Sequence, residues 1–199
     1  FEEEKVEIGK RARLESIRRR NDNPSAIAQR EFHRLLYGRE SAWARIPQPQ
    51  TIRAIARKDL VAFHAKYYHP ANTSIGISGD LTKEEAIALA KENFGDWQNV
   101  PVEFPEIKPI DLKVEPGVYF VDRDIPQSIV LMGHFGYRRH DPAQLALTLL
   151  NEIFGAGGFT SRLMRAIRTD QGLAYSTYGY ISKGTDLGVF LMSAETQAA

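Results

Sequence analysis

The chain has 199 residues, enough for one large domain or two modest ones. Its 26 Lys+Arg nearly balance 25 Asp+Glu, so net charge supplies no field that would select nucleic acid or an acidic partner. Cysteine is absent, which excludes a disulfide framework, a thiolate metal site and a cysteine nucleophile; no apolar run approaches the roughly 18 residues of a membrane span.

Residues 2–21 read as a helix with apolar marks at Val6, Leu14 and Ile17, stopped by NDNP. Glutamates crowd its first turn and arginines its end, an order that suits the helix dipole. The RRR at its end could attract phosphate, but the acidic turn before it works against a nucleic-acid surface. Asn23 or Asn21 is placed to cap a second helix with Pro24 at its first position; that helix groups Ile27, Phe32, Leu35 and Leu36 and ends at Gly38. After the loop RIPQPQ come two short helices, TIRAIA and RKDLVAFHAKYYH, the second ended by Pro70. NTSIGISGD (72–80) is expected to be a strand running into a turn. Thr82 and Glu85 form the capping box of an amphipathic helix that ends at Gly95.

Residues 101–116 carry four prolines among extended dipeptides and read as a semi-rigid linker. The order of elements then restarts. Strands are expected at GVYFVDR and QSIVLMGHFGY, then the helix PAQLALTLLNEIFG, the turn AGGF capped by Thr160, the helix TSRLMRAIRTD, and strands AYSTYGYIS and LGVFLMSAET. The chain is therefore expected to be α+β and to divide into 1–100, the linker 101–116, and 117–199.

Few constellations here carry chemistry. HAKYYH spaces His64 and His69 at i, i+5, which does not put both rings on one helical face, so both read as helix-end or surface residues. GAGG (155–158) follows a helix rather than a strand, so it reads as a cap and not as a phosphate loop. IRTDQGLAY sets Arg168 at the end of an apolar helical pattern (Phe159, Leu163, Met164, Ile167) and Tyr175 at the start of a strand. Locally that is a helix-end cation followed by a strand tyrosine.

FTSRLMRAIRTDQGLAY resembles the segment of the insulinase/pitrilysin (M16) metallopeptidases in which a helix ends in an arginine and a strand begins with a tyrosine. YYHPANTSIGISGDLTKEEAIALAKENFGDW, IPQPQTIRAIARKDLVAFHAKYYHP and RDIPQSIVLMGHFGYRRHDPAQLALTLLNEIFGAGGFTSRL resemble further segments of that family in the right order, so the likeness covers the whole chain. It implies two M16-type, LuxS/metallohydrolase-like α/β sandwich units, each an antiparallel-rich sheet packed with helices and both incomplete here. It also implies that Arg168 and Tyr175 bind a peptide substrate.

The family's zinc is held by HxxEH, which would precede residue 1, and by a glutamate of a later helix. That helix resembles FEEEKVEIGKRARLESIRRRNDNP, with the ligand position on Ser16, Glu15 beside it, and the family's other helical glutamate on Gly9. No catalytic or metal residue is therefore expected in this chain, and it should be inactive alone. The resemblance implies a peptide-gripping component with a degenerate zinc site, in a homo- or heterodimer with another M16 subunit; the compartment does not follow from the sequence, although relatives of this type are often periplasmic or exported bacterial proteins. The alternatives are a complete zinc endopeptidase of which this is a piece, and a non-enzymatic core subunit of the same fold.

Overall fold

The computed structural model describes residues 1–197. The chain divides into two compact units, each assembled from separate stretches: Phe1–Ile17 with Pro47–Glu106, and Arg18–Ile46 with Ile107–Ala199.

The first unit is helical. It holds α1 (Glu3–Arg18), α3 (Pro49–Ala54), α4 (Arg57–Tyr67) and α5 (Lys83–Phe94); the numbering leaves α2 to the second unit. Val6 is the buried residue of α1, while Phe1 sets its ring edge-on to His64. The capping box of α5 forms: Thr82 Oγ1 accepts from Glu85 N, and the Glu85 carboxylate accepts from Thr82 N at 2.7 Å. That backbone bond, then the Thr82 hydroxyl, hold the Glu85 carboxyl below its ordinary pKa. No helix among the described residues is long and apolar enough to cross a membrane.

The second unit contains α2 (Pro24–Tyr37), which starts as its sequence requires: Asn23 Oδ1 accepts from Ala26 N at 3.0 Å, and Pro24 occupies the first turn. β1 (Gln127–Phe135), β3 (Ser176–Ile181) and β5 (Val189–Gln197) form an antiparallel sheet in the order β1-β5-β3. β2 (Tyr137–Arg138) and β4 (Lys183–Gly184) make a short parallel pair at its end. Alternation along the strands gives the sheet two faces. One carries Leu131, Phe135, Tyr180, Val189 and Leu191 and packs against Phe32, Leu36 and Tyr37 of α2, with Ile110 and Val114 of the proline-rich stretch. Tyr37 Oη donates to Leu187 O at 3.0 Å, and burial, then Tyr180, raises its pKa. Ser25 Oγ donates to the Glu195 carboxylate at 2.9 Å and ties the start of α2 to β5. Leu35, expected on the buried face of α2, is exposed.

The other face receives α6 (Gln144–Asn151) and the π-helical turn Glu152–Ala156 that continues it. Here Phe154 tilts against Phe190. The sheet and helices confirm an α+β chain with an antiparallel sheet.

Two expected strands differ. Residues 72–80 and 117–123 pair with nothing among the described residues, and Ile75, Ile77, Val118, Tyr119, Phe120 and Val121 are exposed. Apolar alternation marks a segment that buries its faces when paired; a strand also needs a neighbour to complete its ladder.

Candidate functional site

The junction between Ser161 and Ser176 is built in short steps. Ser161, 1% exposed, caps the helix: its Oγ accepts from Met164 N and donates to Gly158 O at 2.9 Å. Thr160, expected to cap the turn AGGF before it, donates to Gly157 O of that turn at 2.9 Å. α7 (Arg162–Met164) passes at once into a π-helical turn, Arg165–Thr169, closed by Asp170 N donating to Arg165 O at 2.9 Å. Such i→i+5 turns are rare and recur at functional sites. Arg168 lies within it.

The helix ends on Gly172, whose φ of +65° belongs to the left-handed region that glycine adopts without steric cost. Gly172 N donates to Arg168 O and Leu173 N to Ile167 O, both at 3.0 Å. Thr196 of β5 fixes the far side of the turn by donating through Oγ1 to Leu173 O at 2.6 Å. Ala174 is buried and anchors the chain, so Tyr175, 82% exposed, projects outward just before β3.

These steps bring the two sequence-predicted binding residues together. The Arg168 guanidinium carbon lies 4.6 Å from the centroid of the Tyr175 ring. It also lies 5.0 Å from the ring of Phe159, which is 73% exposed. Sequence reasoning placed Phe159 in the apolar stripe of the helix. It actually lies in the one-turn 3-10 segment Gly158–Thr160 before the helix, with its ring beside Arg168. An apolar residue at helical spacing carries no signal that distinguishes these roles; only the turn geometry does.

The chemistry of this arrangement follows from which surfaces are used. Stacking engages the face of the guanidinium and the faces of the rings. The guanidinium N–H donors lie in its plane, and the Tyr175 hydroxyl lies at the ring edge. A face-to-face contact consumes neither set of donors. A planar cation and a phenol so placed suit carbonyl or carboxylate oxygens.

Metal ligation is a different matter. Ser16 and Glu15 are adjacent on α1, about 100° apart around the helix, and both are exposed. A neutral serine hydroxyl does not match the nitrogen, thiolate or carboxylate donors that zinc takes. Among the described residues no group of three or more His, Cys, Asp or Glu could hold a metal. Ser16 itself offers no such donor, and Glu15, which does, is turned about 100° away from it on the helix. His64 stacks on Tyr68 at 4.8 Å, and the His69 ring lies 2.7 Å from Ala65 O, so both act locally at the end of α4.

Two grooves lie in the helical unit. One, of about 360 Å³, is lined by Val6, Ile52, Ile55 and Leu60 with Lys10 and Arg13 at its margin. The other, about 490 Å³, is lined by Phe63, Tyr67, Tyr68 and Phe104.

Comparison with known proteins points to one family. The model of the family described as the peptidase M16 inactive domain matches residues 54–199. An uncharacterized zinc protease of Mycobacterium leprae is 29% identical over 195 residues, covering 95% of this chain and 43% of the relative. One of Streptomyces coelicolor is 26% identical, covering 96% of this chain and 42% of its own length. Among solved structures, a peptidase M16 inactive domain from Pseudomonas fluorescens matches with a TM-score of 0.90 and 28% identity, over 100% of this chain and 48% of that one. A protease from Helicobacter pylori shares the fold, with a TM-score of 0.85 and 22% identity over 99% of this chain and 49% of that one. The chain spans less than half the length of each of these four.

Proposed function

The chain belongs to the M16 peptidase family, and from that premise we propose that it supplies a peptide-gripping surface rather than a metal centre. The observation that carries this reading is the meeting of Arg168 and Tyr175 at 4.6 Å, which gathers a guanidinium and a phenol at one exposed junction. In this reading the Arg168 guanidinium and the Tyr175 hydroxyl donate to carbonyl oxygens of an extended peptide. They hold it in place and stabilise negative charge that develops on a carbonyl. Ser16 and Glu15 take no part in cleavage, and no zinc step is assigned to this chain. A second M16 subunit, identical or different, is the partner that the reading calls for.

The test is peptide binding by the whole protein, read as fluorescence anisotropy of a labelled unstructured peptide. Arg168→Ala is expected to weaken affinity roughly tenfold or more, about 1.4 kcal/mol. Tyr175→Phe should lose less than Tyr175→Ala, because phenylalanine retains the stacking ring and removes only the donor. Unchanged affinity in Arg168→Ala would overturn the reading in favour of a structural core subunit.

A second reading, a complete zinc endopeptidase, is favoured by the name zinc protease carried by the M. leprae relative. The zinc content of the whole protein, purified without chelator, separates the two. We expect substoichiometric zinc; one equivalent per chain would establish the second reading.

A further inference from the structure

We propose that Phe159 is a positioning residue for Arg168, and that it governs how tightly the site grips a peptide without needing to touch the peptide itself. The inference rests on the gripping role proposed above. Its basis is geometric: the guanidinium has two aromatic neighbours, with Phe159 at 5.0 Å and Tyr175 at 4.6 Å.

Arginine carries one of the largest rotamer entropies of any side chain, and an arginine confined before a ligand arrives loses less on binding. Tyr175 supplies one ring toward that confinement, and Phe159 adds a second beside the same guanidinium, carried on a turn whose backbone is restrained. Gly158, with φ of +62°, sets the entry, and the buried Ser161 side chain bonds back to Gly158 O. The backbone beneath Phe159 is therefore closed over four residues, which sets its ring beside the guanidinium. An exposed phenylalanine gains little for the core, since 73% of it stays in solvent. The guanidinium is the group its ring contacts that the proposed function uses.

A double-mutant cycle on the whole protein tests this with the same labelled peptide. Phe159→Ala should weaken binding about two- to fivefold, the scale of an exposed cation–π contact. Phe159→Tyr should remain within about twofold, because it keeps the ring. Phe159→Leu, which keeps bulk without a ring, should behave like alanine and guards against a loss due to misfolding. In the Arg168→Ala background, Phe159→Ala should cause no further loss.

The outcomes separate the two claims. If Arg168→Ala leaves affinity unchanged, the gripping role fails and this inference fails with it. If Arg168→Ala weakens binding but Phe159→Ala does not, only the positioning role is overturned. A Phe159→Ala loss that persists undiminished in the Arg168→Ala background also overturns it, because Phe159 would then act on the peptide directly.

Discussion

Truncating Leu191 to alanine is expected to lower the hydrogen-exchange protection of the β5 amides by about 30-fold to several thousandfold, or about 2–5 kcal/mol. β5 is the central strand, bonded to β1 on one side and to β3 on the other, so its opening requires both ladders to break. Leu191 is 0% exposed and lies among Leu36, Tyr37, Ala44 and Val189. In register it faces Gly133 on β1 and Tyr180 on β3. Glycine has no side chain that could move into the vacated space, and Tyr180 already packs against the same core. The cavity should therefore stay open, which is the condition for a loss near the upper end. A loss below about fivefold would mean that α2 settles onto the sheet and closes the hole.

The same core explains which parts of the fold the sequence announced. Local capping chemistry was legible because it is complete within four residues: Asn23 with Pro24, and Thr82 with Glu85, both formed as expected. The strands at 127–135, 176–181 and 189–197 were legible because their partners lie in the chain. The segments 72–80 and 117–123 show the same apolar pattern and pair with nothing among the described residues. Composition records which residues favour burial; it does not record whether a neighbour is available. The π-helical turns were not legible for another reason. Closing a bond at i+5 rather than i+4 depends on how Gly157 and Asp170 find their acceptors, Glu152 O and Arg165 O, and no residue type encodes that choice.

For the site, the residue types and their separation were readable, and so was the helix-to-strand junction. The approach of Arg168 to Tyr175 was not, because it depends on the Gly172 cap and on the π turn together. Phe159 reads as part of the helical stripe, whereas it lies in the 3-10 turn before the helix and is exposed, because an apolar residue carries the same signature in both places.

The glycine at 155 links stability to the site, and it carries the other large effect expected. A Cβ built on Gly155 would lie 2.4 Å from Gly179 N and 2.6 Å from Gly179 Cα, so the π turn after α6 meets β3 backbone to backbone. No rotamer change relieves that overlap; the helix must move away from the sheet. Gly155→Val should therefore destabilise the unit by about 3 kcal/mol or more, with Gly155→Ala intermediate. Gly179→Ala should be milder, because its Cβ meets ring atoms of Phe154 at 3.2 and 3.3 Å, and a side chain can yield. Any displacement of β3 also moves Tyr175, which directly precedes it, against the helix turn that holds Arg168. Peptide affinity should thus fall in Gly155→Ala even at temperatures where the protein remains folded. Exchange protection of the β3 amides, measured beside anisotropy on the same samples, reads both consequences. Wild-type protection in Gly155→Ala would show that the two backbones have room for a methyl group, and would remove the mechanical link between the α6 turn and the grip.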